Sequence, residues 1–225
     1  MDPGVPTRPH LRAGAGVGCA VMPELGLADL VANGTMSREI ASTLRRAAFA
    51  RRSFLVIALP RLAGKSTVGR AMLAAAAEAG APIRELGEDG PDAAALARDA
   101  RGGYLYVPEV SRYPVAPGYV WGAPVRRAFA AIAEGTALGT ALHADSADDA
   151  VEVLRANRVT DADLSRLDLI VHLRSLGDWR APTRRVIADV HEMVAVTDGV
   201  AALRLLHRWD EARDRFENVA APERF

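Results

Sequence analysis

The sequence predicts an α/β protein, with a mainly parallel sheet flanked by helices. Three observations predict it. Apolar runs of strand length alternate with helical segments along most of the chain, the pattern of a doubly wound sheet. Several of those runs, at 54–58, 104–107, 137–143 and 168–173, are apolar enough to be buried strands. The stretch 53–70, SFLVIALPRLAGKSTVGR, reads as strand, loop and helix, with Gly64-Lys65-Ser66-Thr67 at the helix start.

Taken in order, residues 1–23 read as a loosely ordered leader, because their Gly-rich apolar part is short and weak. Residues 24–52 form a helical lead-in: a short helix over 25–33 closed by Gly34, then a second helix capped by Ser37, with Ile40, Leu44, Ala47 and Ala48 on one face. Arg45, Arg46, Arg51 and Arg52 follow as either a solvated face or a source of phosphate contacts, in this subunit or a neighbour. The core runs from 53 to 195. Its first helix ends at Gly80, a short strand spans 82–86, Glu88-Asp89-Gly90-Pro91 makes an acidic turn, and 92–101 is helical. A strand at 104–107 ends at Pro108-Glu109, 111–122 is a Pro- and Gly-rich loop, and 123–134 is a helix stopped by Gly135. A strand over 137–143, a helix over 146–156 and strands over 168–173 and 184–193 complete the core. The C-terminal appendage, 196–225, reads equally as helix or short meander over 199–225.

The chemistry suited to the helix start is phosphate binding. A helix N-terminus presents unpaired N–H groups and the positive end of a dipole, and a lysine adds a point charge. In a P-loop the lysine reaches the β- and γ-phosphates and the next hydroxyl ligates Mg²⁺. Gly64, Lys65, Ser66 and Thr67 are therefore the binding candidates, Ser66 is the metal candidate, and ATP with Mg²⁺ is the expected ligand. Lys65 is also the single lysine in a chain with 28 Lys plus Arg. A compact ammonium is retained where a planar fork fits poorly, unless its position is chance.

The loop departs from G-x-x-x-x-G-K-[ST] at Leu59, and Leu62 stands where many P-loops carry another glycine. A non-glycine residue at φ > 0 costs about 1–2 kcal/mol. Two such residues would weaken affinity roughly 30- to 1000-fold if the ligand had to impose them.

Glu109 falls at the C-terminal end of a strand, beside the phosphate loop, where ligands bind in open α/β sheets. It reads as a group that orients water or completes the Mg²⁺ shell, with a turn-capping carboxylate as the competing explanation. His143 also falls at a strand end and is either structural or catalytic.

At 225 residues and zero formal net charge, the chain suits one domain with appendages and lacks the basic excess of a dedicated nucleic-acid binder. One cysteine, Cys19, excludes an internal disulfide framework and a cysteine-based zinc site, and fits a reducing cytosol. No apolar run is long enough to span a bilayer.

Several separated segments resemble the secretion-motor ATPases of type II and type IV secretion and of type IV or Flp/Tad pilus assembly. ADLVANGTMSREIASTLRRAAFARRSFLV is similar to the opening of that family's ATPase domain, and LPRLAGKST to its Walker A loop. Glu88-Asp89 resembles its acidic box, YLYVPEV its Walker B strand with Pro108 in place of a glycine, and GTALHADSADDAVEVLR its histidine box. DLIVHLRSLGDWRAPTRRVIADVHEMV is similar to its closing strands. The resemblance covers residues 24–225 in the family's order.

It implies a RecA-like core that binds ATP and Mg²⁺ through Lys65 and Ser66. Glu109 becomes the water-polarising carboxylate, Glu88 an acidic residue that organises metal or water, and His143 a γ-phosphate sensor. It implies a homo-oligomer, a hexamer, in the cytoplasm and peripheral to the inner membrane, working against a secretion or pilus platform protein. The departures are Leu59 and Leu62, Ser111 where an arginine is expected with Arg112 one place late, a shortened stretch before the Walker B strand, and no large N-terminal domain. Two other functions compete with an ATPase motor. One is a degenerate nucleotide-binding subunit that regulates or scaffolds such a machine. The other is a small P-loop kinase, whose only candidate lid, 111–122, carries a single arginine.

Overall fold

The computed structural model describes residues 25–59, 62–87, 92–112, 119–178 and 180–225. In chain order the elements are α1 (Leu27–Ala32), α2 (Arg38–Phe49), β1 (Phe54–Ile57), α3 (Lys65–Glu78), β2 (Ile83–Glu85), α4 (Ala93–Asp99), β3 (Tyr104–Val110) and β4 (Tyr119–Val120). Then come α5 (Ala123–Ala130), a 3₁₀ turn (Ala131–Glu134), β5 (Ala137–Leu142), α6 (Ala147–Ala156), α7 (Asp161–Leu164), β6 (Leu169–Asp178), β7 (Ala181–Thr197), β8 (Val200–Asp210) and β9 (Arg215–Asn218).

All strands join one sheet in the order β2-β3-β5-β1-β6-β7-β8-β9, with β4 on β3. From β2 to β6 every pairing is parallel, including β4 on β3; from β6 to β9 every pairing is antiparallel. The protein is thus mixed α/β, with β1 between β5 and β6 inside the parallel part. All four residues of β1 are buried. Phe54 and Val56 pack with α1, α2 and α3, whereas Leu55 and Ile57 pack with α4 to α7, so the sheet is covered on both faces. That double burial is why the strand reads as an unbroken apolar run.

Local signals account for most boundaries. Ser37 Oγ accepts the Ile40 N–H at 3.2 Å, Asp92 accepts from Ala94 at 3.1 Å and Ser146 accepts from Asp149 at 3.1 Å. Each satisfies an orphan donor of a helix start. Gly139 is required by a close approach: a Cβ there would sit 2.7 Å from the Phe54 ring.

Four expectations change. Residues 111–122 are not loop throughout, since β4 pairs with the end of β3. Helix α7 is an addition, a single turn capped by Thr160. The segment 199–225 resolves as strands. Its signal was Asp198-Gly199, a two-residue turn with φ of +50° and +79° joining Thr197 to Val200, the geometry that links tight hairpins. β6 and β7 also run well past the expected limits, to Asp178 and from Ala181 to Thr197. Their outer halves pair with each other rather than with the parallel sheet. The leader and Cys19 lie outside the described residues.

Candidate functional site

The turn before α3 carries the first group of candidates. Gly64 sits at φ +96° immediately before Lys65, a left-handed position that suits glycine. Leu62 is also left-handed, at φ +62°, whereas Leu59 is not among the residues with positive φ. Only one of the two glycine replacements is therefore strained. That strain exists in the fold itself, without a ligand, so it weighs on folding rather than on binding. Both leucines are exposed, Leu59 by 59% and Leu62 by 67%. Pro60 and Arg61 lie outside the described residues.

Glu109 reaches the site through an irregularity in β3. Tyr104 and Tyr106 face α3, while Leu105 and Val107 face the opposite core. Strict alternation would put Glu109 on that opposite side. Between Val107, opposite Thr140, and Val110, opposite Leu142, β3 contains one more residue than β5. This bulge falls at Pro108, which has no N–H to give to a ladder, and it returns Glu109 to the α3 side. Glu109 is thus a residue of β3 itself, which runs on to Val110, rather than the turn-capping carboxylate of the competing explanation.

Lys65, Glu109 and His143 converge. Lys65 Nζ lies 3.5 Å from Glu109 Oε1 and 3.4 Å from His143 Nδ1, and His143 Nε2 lies 3.5 Å from Glu109 Oε1. His143 Nδ1 is 2.9 Å from the Leu59 carbonyl oxygen. A carbonyl only accepts, so Nδ1 donates there, and its approach to the Lys65 ammonium brings two donors together. Lys65 and Glu109 are buried, and His143 is half-buried. The histidine thereby ties the end of β5 to the start of the turn before α3.

A cleft of about 1000 Å³ opens over these groups, lined by Gly64, Lys65, Ser66, Thr67, Glu109 and His143, among others. The lining also includes Leu30, Asn33 and Thr35 of α1 and the following turn, and Arg184 and Arg185 of β7. The two arginines were missed in the sequence, where they are one Arg pair among many at the start of a strand. Arg184 Nη1 bonds both Asp214 oxygens at 2.7 and 2.8 Å and lies over Trp209. Arg185 Nε donates to the Leu62 carbonyl at 2.8 Å.

Other candidates stand elsewhere. Glu88, with Asp89, lies outside the described residues. Arg45, Arg46, Arg51 and Arg52 do not line the cleft; Arg45 pairs with Glu78, Arg46 bonds the Phe225 carbonyl and Arg52 faces Asp168. None of the four is among the cleft's lining residues: Arg45 and Arg46 are in the last turns of α2, which ends at Phe49, and Arg51 and Arg52 follow it. Among the described residues no group of three or more His, Cys, Asp or Glu is arranged to hold a metal ion. No helix among them is long and apolar enough to cross a membrane.

No protein-family model matches the chain, and no curated protein matches it. Similar solved structures include the VirB11 ATPase from the Brucella suis type IV secretion system in complex with sulphate, at 21% identity and a TM-score of 0.46. The match covers 74% of this chain and 54% of that one, so the chain spans about half the length of that protein.

Proposed function

We propose that the cleft binds the phosphates of ATP at the N-terminus of α3, and that the protein is a Mg²⁺-dependent NTPase of the secretion- and pilus-motor type. One observation carries the reading: a buried lysine at a helix start meets a buried carboxylate and a histidine, each delivered from the end of a different strand. The residues fit the ligand. Gly64 takes the left-handed backbone that opens α3, Ser66 is exposed in the first turn, and the cleft volume suits a nucleotide. Lys65 holds the β/γ-phosphates, and Ser66 is the Mg²⁺ ligand, with Glu109 or Glu88 as a further candidate. Mg²⁺ neutralises phosphate charge when bound. Glu109 orients water, His143 senses the γ-phosphate, and the preformed loop supplies positioning. The motif resemblance extends the proposal to a homo-oligomer, a hexamer, acting in the cytoplasm at the inner membrane on a platform protein.

A second reading is a nucleotide-binding subunit that regulates or scaffolds such a machine and hydrolyses slowly or not at all. It is favoured by Leu59 and Leu62, which expose apolar side chains at the mouth of the phosphate loop. Mg·ATP binding and steady-state phosphate release, measured together on wild type and Lys65→Ala at several protein concentrations, separate the two. Turnover that rises with assembly and vanishes in the variant supports the motor. Binding without turnover supports the regulatory subunit, and absence of binding removes both.

A further inference from the structure

We propose that Arg185 is a positioning residue for the phosphate loop: its guanidinium holds Leu62 in the left-handed conformation that a glycine adopts unaided. The functional consequence rests on reading that loop as the nucleotide site. Leu62 has φ +62° and a side chain 67% exposed, so packing of its own side chain is a weak restraint on its backbone. Its carbonyl accepts the Arg185 Nε proton at 2.8 Å, a bond from a charged donor. The same side chain reaches the loop's other left-handed residue. A Cβ built on Gly64 would lie 3.2 Å from Arg185 Cδ, so the arginine stem lies alongside Gly64 as well.

The donor comes from the β6–β7 ribbon. Arg185 is opposite Ser175 in the antiparallel ladder of β6 and β7, and β6 is paired with β1, the strand that leads into the loop. Loop and clamp are therefore held by the same sheet. The neighbouring Arg184 does not share the task, being bonded to Asp214 and stacked on Trp209. A long side chain from a distant strand thus substitutes for the conformational freedom of the missing glycine, holding Leu62 in place before any nucleotide arrives.

The test is a double-mutant cycle on the nucleotide-free protein: wild type, Arg185→Met, Leu62→Gly and the double variant. Methionine keeps the apolar stem and removes the donor. Arg185→Met is expected to lower Tm by about 3–6 °C in the Leu62 protein and by less than about half of that in the Leu62→Gly background. Hydrogen exchange at the amides of 62–66 is expected to speed up in Arg185→Met and to return toward wild type in Arg185→Lys, which restores a donor. Equal Tm losses in both backgrounds, or exchange unaffected by the donor, would overturn the proposal. Mg·ATP titration of the same proteins is read separately. Failure of the wild type to bind removes the nucleotide reading while the cycle still decides the clamp.

Discussion

Lys65 Nζ and Glu109 Oε1 lie 3.5 Å apart in the buried floor of the cleft, one from the first turn of α3 and the other from the bulge of β3. At that separation the two form an ion pair looser than a tight charge-assisted bond. Replacing Glu109 with glutamine keeps shape and removes the charge. Glu109→Gln is expected to lower steady-state phosphate release by about 10²–10⁴-fold, with Mg·ATP affinity within about threefold of wild type. Lys65→Ala is expected to lose about 10–100-fold in affinity. Equal turnover in Glu109→Gln would remove the carboxylate from the chemistry.

His143 serves two contacts, Leu59 through Nδ1 and Glu109 through Nε2. His143→Asn keeps a short amide near the Nδ1 position and removes the second edge. Turnover is expected to fall about 10²-fold with a smaller change in KM. A fall in turnover matched by an equal rise in KM would assign the histidine to holding the loop.

Leu62→Gly removes a strain of about 1–2 kcal/mol and adds about 0.5–1 kcal/mol of chain entropy. A net gain follows, read as a rise in Tm of about 1–4 °C. Because the strained conformation precedes binding, Mg·ATP affinity is expected to change less than about fivefold. A larger gain in affinity would mean that the loop rearranges around the ligand.

Away from the cleft, Asp189 lies 3.0 Å from Nδ1 of both His172 and His191. Burial raises its carboxyl, but the two imidazoles beside it, His172 through a hydrogen bond, outweigh that and hold it at about 2, below the ordinary 3.8. A depressed carboxylate contributes stability above its unfolded pKa and loses it as pH falls through the folded one. The contribution, about 2 kcal/mol, is therefore present above about pH 4 and lost between about pH 4 and 2. Asp189→Asn is expected to flatten the fall of Tm across that window.

His207 is buried, with Thr43 Oγ1 at 2.9 Å from Nε2 and Asn218 Oδ1 at 2.8 Å from Nδ1. Burial pushes it below the ordinary 6.5, against the Asn218 bond and Glu39, which pull it up. The folded protein then binds fewer protons than the unfolded chain below pH 6.5, so this contribution is complete above that pH and declines beneath it. His207→Gln is expected to lose less Tm than wild type between pH 7 and 5 in thermal melts.

Local chemistry made much of the fold legible. Buried strands read as apolar runs, Ser37, Asp92 and Ser146 marked helix starts, and the glycine before Lys65 marked the start of α3. These signals act within one or two turns of chain, so neighbouring residues alone specify them. The antiparallel half was less legible, because an open twisted ribbon needs only weak alternation and one Asp-Gly turn, and 199–225 carried no stronger periodicity.

What the sequence by itself determined about this protein is the strand, loop and helix that deliver Lys65, and the strand ends that carry Glu109 and His143. What only the tertiary structure decided is that the three meet, that the extra residue at Pro108 turns Glu109 inward, and that Arg185 reaches Leu62. The physical reason is range. Propensity and capping are settled between neighbours, whereas ladder register and a side chain's reach across a sheet depend on how distant segments pack.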